Sequence, residues 1–182
     1  MERTDVTDAT HCPRGKTWQW RWTLAGLAAL IASGAAQAGC TVSSTGMAFG
    51  AYQPLTVSGS LVSSDKTSDA SIAMVCTGIS VLSSYTLALG PSTVGPGDRV
   101  SNRYLANTSG GADMQFNIYT NPLRTTVWGI GSSGSLISGV IPISLGSTTQ
   151  TVTVYGRIPG GQATLRAGSF SGSLLITLTY NP

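Results

Sequence analysis

Downstream of Cys40, no stretch of helical length carries apolar residues at i, i+3, i+4 and i+7 without interruption by Gly, Pro or Ser clusters. Short runs of period-two alternation recur instead. Ile72, Met74 and Cys76 share one face, as do Tyr85, Leu87 and Leu89. Met114, Phe116 and Ile118 alternate with Gln115, Asn117 and Tyr119, and Val152 and Val154 alternate with Thr151, Thr153 and Tyr155. The cleanest run comes last, over residues 174–180, with Leu174, Ile176, Leu178 and Tyr180 on one side. Turn signals punctuate these runs: Gly90-Pro91, Gly95-Pro96-Gly97-Asp98, Ser109-Gly110-Gly111, Asn121-Pro122, Gly131-Ser132-Ser133-Gly134 and Pro159-Gly160-Gly161. Short strands at this spacing predict an all-β sandwich, and no linker or repeat divides the region.

The beginning of the chain reads differently. Arg14, Lys16 and Arg21 precede an apolar run over residues 24–32, followed by Ala36-Gln37-Ala38. A basic region, a short apolar core and an A-x-A site make a secretory leader over residues 1–38, cleaved between Ala38 and Gly39. The apolar run would span about 13 Å as a helix, well short of a bilayer. A buried helix or an uncleaved anchor is the alternative. Lipoprotein processing at Cys40 is disfavoured, because Gln37 stands where lipoprotein signals resemble one another in carrying an aliphatic residue. The expected domain is therefore residues 39–182.

Cleavage would remove the sole histidine, His11, the sole glutamate, Glu2, and Cys12. What stays is Lys66, Arg99, Arg103, Arg124, Arg157 and Arg166 against Asp65, Asp69, Asp98 and Asp113. That balance offers no basic run for nucleic acid and no acidic tail. Charged residues make up 9% of the whole chain, where about 25% is usual, so Ser, Thr, Asn and Gly supply the polarity. Cys40 and Cys76 remain as an even pair in an exported chain, which predicts a disulfide. Closing that loop is worth about 3.5–4 kcal/mol on the chain-entropy model. A metal pair or a nucleophile would need His or further Cys nearby.

The same inventory argues against catalysis. Serine is abundant, yet no His or Glu is left to activate it, and Lys66 is the only lysine of residues 39–182. Asp98 and Asp113 could form a carboxylate pair of the glycosidase type. Asp98, however, sits in a Gly-Pro-Gly-Asp turn, where Asp commonly bonds the local backbone. No G-x-G-x-x-G or Walker-type loop occurs in a strand–turn–helix context. The expectation is a non-enzymatic protein with no cofactor and no metal.

An ordered set of motifs carries a family resemblance. Cys40 is followed by Phe49-Gly50-Ala51-Tyr52-Gln53-Pro54, then Val75-Cys76-Thr77 and Tyr85-Thr86-Leu87-Ala88-Leu89-Gly90. Arg103-Tyr104-Leu105 leads to Phe116-Asn117-Ile118-Tyr119-Thr120 and Trp128-Gly129. Tyr155-Gly156-Arg157-Ile158 with Gly161-Gln162 leads to Gly168-Ser169-Phe170 and Leu178-Thr179-Tyr180. Together these resemble the spore coat protein U domain, shared with subunits of archaic (Csu-type) chaperone–usher pili. One departure is Ser171-Gly172, where the family usually carries an acidic residue after the aromatic.

The resemblance implies an immunoglobulin-like sandwich lacking one edge strand, with an open apolar groove between the first and last strands. A periplasmic chaperone and then a strand from a neighbouring subunit would fill it by β-augmentation, with an outer-membrane usher directing assembly. Leu174, Ile176, Leu178 and Tyr180 are the expected groove wall; an ordinary complete sandwich strand would show the same periodicity. With cleavage after Ala38, Gly39 alone precedes Cys40, so the chain would accept a strand without offering one. That predicts a tip or terminating subunit of a pilus, or a coat component at the cell surface. Adhesion to abiotic surfaces or glycans through apolar loops is the alternative, with Trp128 and Ile130 as the contact residues unless Trp128 packs as core.

Overall fold

The computed structural model describes residues 39–55 and 63–181, and the expected leader with Ala38 at its end lies outside them. Among the described residues nine strands follow one another with no helix. They are β1 (Gly39–Ser44), β2 (Lys66–Ile79), β3 (Ser83–Leu89), β4 (Arg103–Asn107), β5 (Met114–Tyr119), β6 (Ile137–Ile141), β7 (Ser144–Ile158), β8 (Phe170–Ser171) and β9 (Ile176–Asn181). Two sheets result, ordered β1-β2-β7-β5-β4-β8 and β6-β3-β9. All strand pairings are antiparallel. The protein is an all-β sandwich.

Its spine is the long pairing of β2 with β7, running from Lys66↔Ile158 to Thr77↔Ser147. Beyond Thr77 the register shifts to Ile79↔Ser144, and Gly78 at φ 69° takes up the bulge that a side chain would resist. Alternation in β2 buries Ala70, Ile72, Met74 and Cys76 between the sheets. Tyr85, Leu87 and Leu89 of β3 face them from the other layer, and Met114, Phe116 and Ile118 of β5 with Val154 and Ile158 of β7 complete the core. Each such side chain contributes about 1.5–3 kcal/mol on burial, which is why the period-two pattern specifies the sheets so firmly.

Cys40 of β1 lies directly opposite Cys76 of β2, and the two form a disulfide. The edge strand is thereby stapled to the spine.

The final strand begins at Ile176 rather than Leu174. Its partner β3 stops at Leu89, paired with Ile176, before the Gly90-Pro91 turn, so Leu174 and Leu175 have no strand beside them. Gly90 N–H still holds the Leu175 carbonyl at 2.9 Å. Ahead of that point β8 belongs to the six-stranded sheet, so residues 172–175 carry the chain from one layer to the other.

Candidate functional site

A groove runs along one side of the core. About 1140 Å³ in volume, it reaches the inward faces of Ile72, Leu105, Phe116, Ile118, Val154 and Ile158. Small-molecule pockets occupy roughly 300–1,000 Å³, so this opening is slightly larger than most. One wall is the chain after β1, residues 44–55, and the other is residues 165–174 with Ile176. β9 is the last strand of its sheet and β1 the last of the other, so each presents an edge with no strand beyond it among the described residues.

The first wall is held by polar contacts along β2 and β7. Thr45 N–H donates to Ser71 O, Ser68 Oγ donates to Ala48 O at 2.7 Å, and the Tyr52 hydroxyl donates to Pro159 O at 2.7 Å. Its apolar side chains turn inward. Phe49 meets Phe116 edge-to-face, with ring centroids 6.2 Å apart. Met47 and Phe49 lie over Gly156 so closely that any Cβ there would collide with both. A glycine inside an otherwise regular strand is the sequence mark of such an approach.

Gln162 closes a gap in the six-stranded sheet. Beyond Asn117↔Arg157, β7 ends and Gln115 of β5 would lack a partner on that side. The Gln162 side chain supplies one: its Oε1 accepts from Gln115 N at 2.7 Å, and its Nε2 donates to Gln115 O at 2.9 Å. The amide acts as a one-residue strand.

Arg103 is the most unusual group in the structure. Fully buried at 0% exposure, it donates to Leu89 O, to Gly90 O and to Asn117 Oδ1. Loss of water lowers its pKa to about 10, with Asp98 opposing, so it remains a cation at neutral pH. It ties β4 to the end of β3, and Gly90 in turn holds Leu175 at the head of β9. Burial of an arginine without a carboxylate partner has no signature in sequence, and this residue was not among those expected at the groove.

Of the expected wall, Leu174 and Ile176 line the groove, whereas Leu178 and Tyr180 pack against the core farther along β9. The loop pair divides. Trp128 is only 1% exposed and donates from Nε1 to Leu87 O at 2.9 Å, so it is core and cannot touch an external surface. Its neighbour Ile130 is 44% exposed. The loop-contact expectation is corrected for Trp128: its large apolar ring gains more by closing the end of the sandwich than by facing water.

The two carboxylates weighed as a catalytic pair have separate settings. Asp98 accepts from Val100 N–H at 2.9 Å and from the Ser101 and Ser133 hydroxyls at 2.7 Å each. Those donors, Val100 N–H foremost, hold its pKa well below the usual carboxylate range. Asp113 stands in the β4–β5 turn, at the other end of β4. Among the described residues no three or more His, Cys, Asp or Glu gather to hold a metal. What the site offers is an apolar groove between two walls.

A family model described as the Spore Coat Protein U domain matches residues 27–177, which takes in β1 to β8 and the start of β9. No curated protein matches the chain.

Proposed function

The chain belongs to the Spore Coat Protein U domain family, which points to a surface-exposed pilus or coat subunit, and from that premise we propose that it assembles by receiving a strand from a neighbouring subunit. The observation that carries the reading is the groove: apolar core side chains line it between two walls, beside the edge of β9, which has no strand beyond it among the described residues. A sheet edge with no strand beyond it, beside an apolar groove, is an aggregation hazard until something occupies it. A chaperone would fill it in the periplasm, and a donor strand would replace the chaperone at an outer-membrane usher.

The chain's own position in the assembly is terminal. With cleavage between Ala38 and Gly39, Gly39 alone would stand ahead of Cys40, and Gly39 already pairs with Thr77 inside β1. One residue cannot supply the alternating apolar side chains that a donor needs. N-terminal sequencing of the exported protein tests this; a mature start ten or more residues before Cys40 would remove the terminal role.

Thermal melting of the exported protein tests the groove itself, alone and with excess donor-strand peptide or co-purified chaperone. A ligand that binds only the native state adds about 2.7 kcal/mol at a hundredfold excess over its Kd. A melt raised by the peptide supports the reading. A sharp melt that neither addition moves would show a sandwich complete in itself.

A second reading, adhesion, is favoured by one cluster. The β2–β3 connection exposes Val81 and Leu82, and the neighbouring β6–β7 connection exposes Ile143, with Val140 and Leu145 on its flanks. Because β2 pairs with β7 and β3 with β6, both connections cross between the sheets at the same end. Leu145 is 85% exposed there, and residues 136–150 contain no charge. Retention on hydrophobic beads that drops for Leu82→Ser and Leu145→Ser supports adhesion at this end. Retention unchanged in both variants removes it.

A further inference from the structure

The groove is apolar or neutral along its whole lining except at one position, Arg166. The geometry places that cation at a defined end. Gly111, in the β4–β5 turn, lies beneath the Arg166 side chain: a Cβ there would stand 3.3 Å from Arg166 Cδ. Met114 is the residue of β5 nearest that turn, and Ile118, whose carbonyl accepts from Trp128 N–H, lies four residues farther along. Both line the groove, so from the arginine end to the tryptophan end it covers at least about 13 Å of strand.

Arg166 is held at its backbone and not at its head. Its carbonyl accepts from Asn107 Nδ2 at 3.4 Å. The carboxylates that could have neutralised it are engaged or apart. Asp65 pairs with Arg157 and Asp69 with Arg124, each at 2.8 Å, and Asp98 is saturated by hydroxyl and backbone donors. Asp113 lies in the same turn, yet among the described residues no carboxylate makes an ion pair with Arg166. The segment around it, residues 167–173, adds hydroxyls and glycines and no charge.

We infer that the strand received by this groove carries a carboxylate at the end that lies against Arg166, with uncharged, alternating apolar residues along the rest. The inference rests on the groove reading above and adds a polarity to it. An apolar trough is indifferent to which way a strand enters. A single cation at one end makes the two directions unequal, because only one puts the acid beside the guanidinium and the reverse leaves it near Trp128 and Leu89.

The test uses the exported protein, purified from the periplasm with its disulfide intact, and three synthetic nine-residue peptides. One alternates Val and Thr; the other two carry Asp in place of the first or the last residue. Affinities are read at low salt and in 1 M NaCl, where the Debye length falls to about 3 Å. The expected result is that one acidic peptide binds about two- to fivefold tighter than the neutral one, the range an exposed ion pair supplies. That preference should vanish in 1 M NaCl and in Arg166→Gln, and persist in Arg166→Lys. Equal binding of all three peptides overturns the polarity and leaves the groove reading standing. Binding by none of them removes both.

Discussion

Arg103 Nη1 donates to Asn117 Oδ1 at 2.7 Å, deep between the sheets, and the Asn117 amide nitrogen donates onward to the carbonyls of Val100 and Ser101. Neither side chain reaches water, with 0% and 5% exposure. The pair therefore fixes the loop before β4 and the end of β3 in one network, and that end of β3 sets where the groove's second wall begins.

Arg103→Met should destabilise the fold by at least about 3 kcal/mol, since it takes the guanidinium away from the Leu89 and Gly90 carbonyls and leaves Asn117 Oδ1 with only the Ile118 N–H. Urea denaturation of the oxidised protein measures it. A loss under about 1 kcal/mol would mean that water replaces the guanidinium at little cost.

Gly156→Val should lower stability by about 1–3 kcal/mol, because the new side chain overlaps Met47 and Phe49. The same change should weaken donor-peptide binding, since those residues form the groove's first wall. Unaltered melting and binding together would show that residues 46–50 yield freely.

Asp98 should impose an acid limb on stability. Its folded pKa lies well below the ordinary 3.8, so its contribution is full above about pH 4 and is lost as pH falls toward the folded value. The melting difference between wild type and Asp98→Asn should then be constant from pH 5 to 7 and narrow below pH 4. A difference that stays level to pH 2.5 would contradict the hydrogen-bond account.

Trp128→Ala should cost about 3–5 kcal/mol as a vacated core site, and Ile130→Ala at most about 0.5. Paired melts of the two variants settle the division between core and surface in this loop. Similar losses in both would return Trp128 to the loop surface.

Reduction of the Cys40–Cys76 bridge, or its replacement by serines, should lower stability by about 3.5–4 kcal/mol. Chemical denaturation with and without reductant reads this directly. A shift of less than about 1 kcal/mol would mean that β1 holds by its ladder alone.

Much of the fold was legible because burial alternates with the strand. The inward residues expected in β2, β3 and β5 are buried, as is Val154 of β7, while Val152 is only half-buried and Asn117, expected to face outward, is buried as well. The cysteine pair was legible too, since few other roles suit two cysteines in an exported chain. The groove was harder. Leu174 and Ile176 face it, but Leu178 and Tyr180 share their period without lining it, because periodicity reports the face and says nothing of where along the strand the opposing layer stops. The first wall was hidden for a different reason: residues 44–55 lie in irregular backbone after β1, and only Gly156, opposite them, marks the approach. Arg103 stood in one of the family's motifs, but nothing in it signalled burial, because arginine is usually at the surface and its burial depends on carbonyls from another strand.

The β2–β7 spine also governs the order in which this molecule can form. Lys66 and Ile158 meet across some ninety residues of chain, while Cys40 and Cys76 are 36 apart. For a chain that emerges from its N-terminus, the β1–β2 pair and its bridge can close long before residues 144–158 emerge. Until then β2 has no partner along its other edge. Pairings of such high contact order are slow, and through the interval that edge of β2 stays unpaired. The half-built sheet thus carries an open edge before the finished fold has its groove.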